Sequence, residues 1–251
     1  MFWIKGIALF AAMSPYYRYQ MLFDAVLFDL DYTLFDSEAS ESEALVKSLE
    51  ENGVPHSQST IEDYKAINMS LWKMLEREEI GLDFLRVNRF EQLLNKLGQS
   101  KDPQKLADAY TMNLGTCGSF YPGVRDLLEI LSEKILLGIV TNGVSKTQRL
   151  RLEIHDFAKY FDAIVVSGEF GLPKPNPVIF NEALRLLGIT SSNNVLMVGD
   201  SLSSDMEGAR NSGLTSCWVN QTADIDKTTV DVDYHIQSLE DRLKKTLELL
   251  Q

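Results

Sequence analysis

Cysteine is scarce in this chain: Cys117 and Cys217 are the only two of 251 residues, and they stand far apart. Neither belongs to a Cys-x-x-Cys pattern, which excludes a disulfide framework or a zinc ribbon and points to free thiols in a reducing, cytoplasmic compartment. Histidine is nearly as rare. His56, His155 and His235 are scattered without ligand spacing and read as structural or surface residues. Positive charge is in deficit, with 24 Lys and Arg against 36 Asp and Glu, a formal net charge of -12. That argues against a nucleic-acid polymer as partner, because such binding rests on clustered Lys and Arg. No Gly-x-x-x-x-Gly-Lys-Ser/Thr follows any apolar run, which excludes a P-loop site. The longest apolar stretch, MFWIKGIALFAAMS at 1–14, falls short of the ~20 residues a membrane-spanning helix needs. No internal repeat or low-complexity segment occurs.

What is present starts at Ala25–Asp36, AVLFDLDYTLFD. An apolar run ending in alternate carboxylates reads as a buried strand whose carboxyl end carries chemistry. Alternate residues of a strand share a face, so Asp29 and Asp31 begin near each other. Two such carboxylates repel unless a cation joins them or one takes a proton.

Helical signals fill residues 37–118. Ser40-x-x-Glu43 has the form of a capping box and predicts a helix to about Glu51, stopped by Asn52-Gly53. Thr60-x-x-Asp63 predicts a second, ended by Gly81, in which Ile61, Tyr64, Ile67, Leu71, Met74 and Leu75 form one apolar face. A third covers about 82–97, and a fourth runs from Asp102-Pro103 to about Leu114. Gly115–Gly118 reads as a flexible connection, and with Asp36–Ser40 as one of two hinges.

From Val124 onward the pattern alternates. Helices are predicted at 124–134, 145–157, 177–187, 203–212 and 238–250, and strands at 135–140, 163–166, 195–198, 216–219 and 234–236. Strands that are apolar throughout are buried on both faces, so the fold class is α/β: a parallel sheet flanked by helices with an all-helical block inserted after the first strand. The domain boundaries expected are 21–36 with 119–251 for the sheet domain and 37–118 for the block. Residues 1–20 read either as a weakly signal-like segment or as an extension ahead of a natural start at Met21, adding nothing to catalysis in either case.

Ligands of open parallel sheets bind at the carboxyl ends of the strands. There the sequence places Asp29 and Asp31, Thr141-Asn142-Gly143, Lys174 within a Gly-Leu-Pro-Lys-Pro segment, and Asp200 followed by Asp205. Phosphoryl transfer needs this inventory: a nucleophile, charges that neutralise phosphoryl oxygens, and a proton donor for the leaving oxygen. Asp29 suits the nucleophile, giving an aspartyl-phosphate, and Asp31 the acid and base. Thr141, the backbone beside Asn142, and Lys174 suit the phosphate, with Lys174 also paired to Asp29. Asp29, Asp31 and Asp200, through carboxylates and a backbone carbonyl, offer the oxygen set Mg²⁺ prefers, with Asp205 supporting it from behind.

In this order the four segments resemble the motifs of the haloacid dehalogenase-like superfamily: DLDYTLFD at 29–36, VTNG at 140–143, GLPKPNPVIF at 171–180 and VGDSLSSD at 198–205. The resemblance implies a Rossmann-like core, a helical C1 cap over residues 37–118 and a Mg²⁺-dependent hydrolase. Members that cleave carbon–halogen bonds carry Asp-x-Tyr at the opening and use no metal. Here Asp31 holds that position and the tyrosine comes one residue later, at Tyr32 where Gly or Asp is more usual, which implies a phosphatase. YKAINMSLWKMLEREEIGLDFLRVNRF at 64–90, VTNGVSKTQ at 140–148 and GDSLSSDMEGARNSGLTSCWVN at 199–220 are similar to the pyrimidine 5'-nucleotidases of that superfamily. The pattern TNG…TQ is similar to the N-acylneuraminate-9-phosphatases as well. The implied substrate is a small phosphorylated metabolite: a nucleoside 5'-monophosphate, with a sugar phosphate or an N-acylneuraminate 9-phosphate as the alternative, and non-catalytic binding of a phospho-ligand as a remote one. Asn68 and Trp72 are the implied selectors, and a monomer or homodimer the implied assembly.

Overall fold

In the computed structural model the described residues are 22–220 and 231–236. The segment 1–20 and the helix expected over 238–250 lie outside them. The chain enters on β1 (Ala25–Phe28), crosses four helices, α1 (Ser37–Glu51), α2 (Gln58–Glu76), α3 (Leu82–Lys96) and α4 (Pro103–Thr116), and then alternates. The alternation runs α5 (Val124–Ser132), β2 (Leu136–Thr141), α6 (Ser145–Ile154), β3 (Ala163–Val166), α7 (Ser167–Phe170), α8 (Pro177–Leu186), β4 (Val195–Gly199), α9 (Glu207–Asn211), β5 (Thr215–Val219) and β6 (Tyr234–Ile236).

The six strands form one sheet in the order β3-β2-β1-β4-β5-β6, and every pairing is parallel. β1 lies between β2 and β4, with Phe28 level with Ile139 on one side and Val198 on the other. Three motif-bearing strand ends therefore come out side by side. Both faces are covered, as the unbroken apolar strands require. Val26, Phe28, Ile139 and Val198 pack with Leu128 and Leu131 of α5, while Ala25, Leu27, Val140 and Met197 pack with Ile179 and Phe180 of α8. The period-two split of AVLF between these two cores is what holds the register.

The helical block has a core of its own, in which Leu45, Leu49, Tyr64, Phe90, Leu93 and Tyr110 are all buried. Side chains of this size each contribute about 1.5–3 kcal/mol when removed from water. Tyr64, Leu71 and Leu75 of the predicted α2 face are buried, with Ile61, Ile67 and Met74 partly so.

Four local predictions are corrected. α1 begins three residues before Ser40 because Asp36, at the strand exit, accepts from the Ala39 N–H at 3.2 Å and caps it first. Ser40 is turned inward and buried, donating to the Cys117 carbonyl at 3.0 Å. α2 starts at Gln58 under a Ser57 cap, with Thr60 accepting from the Ser57 N–H at 3.1 Å. Gly115 is not a flexible joint. It lies inside α4, where an added Cβ would come within 2.8 Å of Leu150, so the glycine serves close packing on α6. Asp205 lies in a widened π-type turn (Leu202–Met206) leading into α9, where an ordinary helix was expected. Cys117 and Cys217 are both buried and are not joined to each other in a disulfide.

Candidate active site

Asp29 follows β1 directly, and its N–H donates to the Val198 carbonyl at 2.9 Å. Its carboxylate is 5 % exposed. Lys174 Nζ donates to Asp29 Oδ1 and to Asp205 Oδ1, each at 2.6 Å, with Lys174 and Asp205 sealed from solvent. Asp205 Oδ2 accepts in turn from the Ser201 N–H at 3.0 Å. That approach requires Gly199, where a Cβ would lie 2.3 Å from Asp205 Oδ2. Thr33 Oγ1 bridges Asp29 Oδ2 at 3.5 Å and Asp200 Oδ1 at 3.4 Å.

Oxygens of Asp29, Asp200 and Asp205 all lie within 4.8 Å of one another. One ammonium faces three carboxylates there, and the charges do not balance. Burial pushes Asp29 up to about 7, with Lys174 opposing and Asp205 and Asp31 adding to it. Burial also raises Asp200 well above the carboxylate range, and the neighbouring Asp29 and Asp205 charges add to that. Burial alone would lower Lys174, but Asp205 and Asp29 outweigh it and hold the ammonium firmly charged. A divalent cation fits such a set: it is all oxygen, crowded and in excess of negative charge. Asp29 and Asp200 would hold it, with Asp205, whose two oxygens already accept from Lys174 and the Ser201 N–H, close behind.

The carboxylate of Asp31 is not among them. It accepts from Ser37 Oγ at 2.5 Å and Gln148 Nε2 at 2.6 Å, and forms a short ion pair with Arg151 Nη1. Burial would raise it, but the Arg151 guanidinium and these donors hold it below the usual carboxylate range. Thr141, fully buried at the end of β2, accepts from Gln148 Nε2 at 2.8 Å. Asn142 grips the main chain of Lys174 at two points, accepting its N–H at 2.8 Å and donating to its carbonyl at 3.1 Å. Its side chain thereby places the lysine.

Asp29, Asp31, Asn142, Lys174, Asp200 and Asp205 floor a cavity of about 490 Å³ whose other walls include Tyr32, Glu41, Asn68, Trp72 and Arg89, while Thr141, expected on the phosphate, is sealed beneath Gln148 and does not reach it. Arg89 is buried, lies 4.6 Å over the Tyr110 ring, and donates to Asn68 Oδ1 at 3.2 Å. That bond turns the Asn68 amide so that its NH₂ remains as a donor. Tyr32 adopts φ +60, a region side chains rarely enter, and its phenol bonds Glu41. On the far side Ser203 Oγ meets Glu76 at 3.0 Å and Asn176 meets Glu78 at 2.8 Å, so the helical block touches the sheet domain around the cavity.

Sequence reasoning missed Ser37, Glu41, Arg89 and Arg151. Arg151 had a signal: it stands three residues after Gln148 of the quoted TNG…TQ pattern, on the same helix face. Nothing local marks Arg89 or Glu41, which reach one cavity only when the helical block packs, α1 and α3 each against α4.

The pattern of the haloacid dehalogenase-like hydrolases matches residues 26–219. The chain is 34% identical over 224 residues to pyrimidine 5'-nucleotidase PynA of Streptococcus pneumoniae, covering 89% of this chain and 94% of that one. It is 35% identical over 200 residues to pyrimidine 5'-nucleotidase YjjG of Escherichia coli, covering 80% and 87%. Among solved structures, the magnesium-bound HAD-hydrolase YfnB of Bacillus subtilis superposes with a TM-score of 0.82 at 32% identity, over 90% of this chain and 98% of that one. With its four motifs gathered on one sheet edge, the chain belongs to the haloacid dehalogenase-like hydrolases.

Proposed function

We propose that this protein is a Mg²⁺-dependent phosphatase of small phosphomonoesters, with a nucleoside 5'-monophosphate as the substrate class. The observation that carries this is the Asp29–Lys174–Asp205–Asp200 cluster flooring a cavity walled by Trp72, Asn68 and Arg89. A cavity of about 490 Å³ is within the size range of ligand sites, and Trp72 offers a face for a base to stack on. Relatives named as pyrimidine 5'-nucleotidases support the substrate class.

Asp29 and Asp200, with the main-chain carbonyl of Asp31, would hold the ion, and Asp205 supports it from behind. Bound there, Mg²⁺ supplies charge that neutralises phosphoryl oxygens and keeps Asp29 ionised. An Asp29 oxygen attacks phosphorus as the bond to the leaving oxygen breaks, and that oxygen takes its proton from Asp31, which must first bind one from solvent because its carboxylate is ionised against Arg151 here. Asp31 then takes a proton from water, whose oxygen attacks the same phosphorus and frees Asp29 and inorganic phosphate. Lys174 and the backbone beside Asn142 hold the phosphoryl oxygens, with Thr141 behind them. Residues 37–118 act as a cap that excludes bulk water during the reaction.

A panel of nucleoside monophosphates, sugar phosphates and N-acylneuraminate 9-phosphate, run with EDTA and with added Mg²⁺, tests this. Turnover of a pyrimidine nucleotide ahead of the others, abolished by EDTA and restored by Mg²⁺, is the expected result. Metal-independent turnover would overturn the scheme, and preference for a sugar phosphate would overturn the substrate class.

A further inference from the structure

We propose that Arg151 is a positioning residue that ties the Asp31 carboxylate to both segments by which the helical block joins the sheet domain. Arg151 lies on α6 and is 1 % exposed. Its guanidinium divides among three parts of the fold. Nη1 pairs with Asp31, Nη2 donates to Ser40 Oγ at 3.2 Å, and Nε donates to the Leu114 carbonyl at 3.1 Å. Ser40 belongs to the first helix after the chain leaves the sheet, and Leu114 to the last before it returns. Ser40 Oγ also donates to the Cys117 carbonyl at 3.0 Å, so the outgoing and returning segments are stitched to each other. Gln148, on the same helix, donates one amide hydrogen toward Asp31 at 2.6 Å and the other toward Thr141 at 2.8 Å, and accepts from Arg151 Nη1 at 3.1 Å.

The guanidinium is planar and rigid, so its three bonds cannot adjust independently. Its face lies 4.5 Å over the Phe35 ring, which leaves it no room to tilt alone. A buried charge cannot exchange a lost partner for water without a large penalty. Displacement of the helical block shifts Ser40 and the Leu114 carbonyl, the guanidinium plane follows, and Asp31 follows the guanidinium. The arrangement of the block thereby sets where the proposed proton donor stands. This rests on Asp31 acting as proton donor, and the Asp31→Asn variant tests that separately.

The experiment compares kcat/KM, which ends at leaving-group departure, for two esters in Arg151→Met, Ser40→Ala, Asp31→Asn and the Asp31→Asn/Arg151→Met pair. The first ester is p-nitrophenyl phosphate, whose leaving oxygen departs without a proton. The second is uridine 5'-monophosphate or, if sugar phosphates lead the panel, ribose 5-phosphate, whose alkyl oxygen needs one. Arg151→Met is expected to lower kcat/KM for the alkyl ester by about 10- to 100-fold, part of the ~10²–10⁴ that a general acid contributes, with the aryl ester changed less than about threefold. In the Asp31→Asn background the same substitution is expected to cost nothing further, the mark of a residue acting through another. Ser40→Ala should show the selective pattern at about threefold, and it decides the matter if Arg151→Met does not fold. Equal losses on both esters, a full additional loss without Asp31, or a Ser40→Ala variant that does not favour the aryl ester would overturn the proposal. If Asp31→Asn leaves the alkyl-to-aryl ratio unchanged, the proton-donor assignment itself fails. Absence of turnover in the unaltered protein would instead overturn the phosphatase reading.

Discussion

The floor and the roof of the cavity are built on opposite plans. On the floor, Asp29, Lys174 and Asp205 are all buried, and each side chain is committed to a named neighbour in the protein. On the roof, Arg89 is equally buried, yet among the described residues its Nε has no hydrogen-bond partner, while the Tyr64 hydroxyl interacts with both Tyr110 and Arg89. Buried polar groups left open cost about 1–3 kcal/mol each, so they persist where something else gains from them. The contrast teaches a division of labour. The floor is a fixed electrostatic set, one cation short of balance, suited to a phosphoryl group of any origin. The roof keeps donors in reserve and is suited to telling one leaving group from another.

The largest effect should come from the floor. Asp29→Asn removes the attacking oxygen while keeping the side chain's shape, and turnover of every ester is expected to fall by on the order of 10⁴ or more with the thermal transition retained. Loss confined to one substrate would break the contrast.

Lys174→Met comes next. It strands Asp29 and Asp205 as buried carboxylates without their cation, so a loss of about 3–5 kcal/mol is expected by denaturant titration, beside an activity loss of about 10²–10³. A stable, active variant would mean that the floor is not a fixed charge set.

The roof should answer differently. Asn68→Ala removes an amide held in one orientation by Arg89. KM for the nucleotide is expected to rise about tenfold, one hydrogen bond's worth, with p-nitrophenyl phosphate unaffected. Equal effects on the two would show the roof to be packing alone.

The smallest effect sharpens the comparison through pH. Glu41 is partly buried, and burial raises its carboxyl from 4.5 to about 7; the Asp31 charge adds to the rise, while Arg89, Arg151 and the Tyr32 bond oppose it. Its folded value exceeds its unfolded one, so the stability it contributes is complete below about pH 4.5 and is lost as pH rises through 7. Glu41→Gln never ionises. It should match the parent near pH 4.5 and exceed it above pH 7 by about 1–2 kcal/mol, allowing for partial exposure, in thermal melts across that range. A difference independent of pH would mean that Glu41 is ionised throughout.

Much of this molecule was legible along the chain. Apolar strands ending in Asp29, Thr141 and Asp200 announced a parallel sheet with chemistry at its carboxyl edge, because strand ends in such a sheet are brought together by the fold itself. Helices α1–α4 were legible from spacing, with errors where two caps competed: Asp36 against Ser40, and Ser57 against Thr60. Gly115 was misjudged because a glycine that permits flexion and one that admits a neighbour look alike in sequence. Tyr32 turns through a left-handed backbone to meet Glu41, a pairing that no spacing along the chain announces.

What the sequence by itself determined is the inventory and its order: two alternate carboxylates, a threonine, a lysine and two further carboxylates, each placed by the short-range rules of strand and turn. What only the tertiary structure decided is which of them share charge. Asp205 joins Asp29 and Asp200, while the Asp31 carboxylate is drawn off to Arg151, 120 positions along the chain. Electrostatic partnership acts over a few ångströms of space, and no periodicity in a chain encodes which distant side chains will be folded to within that reach.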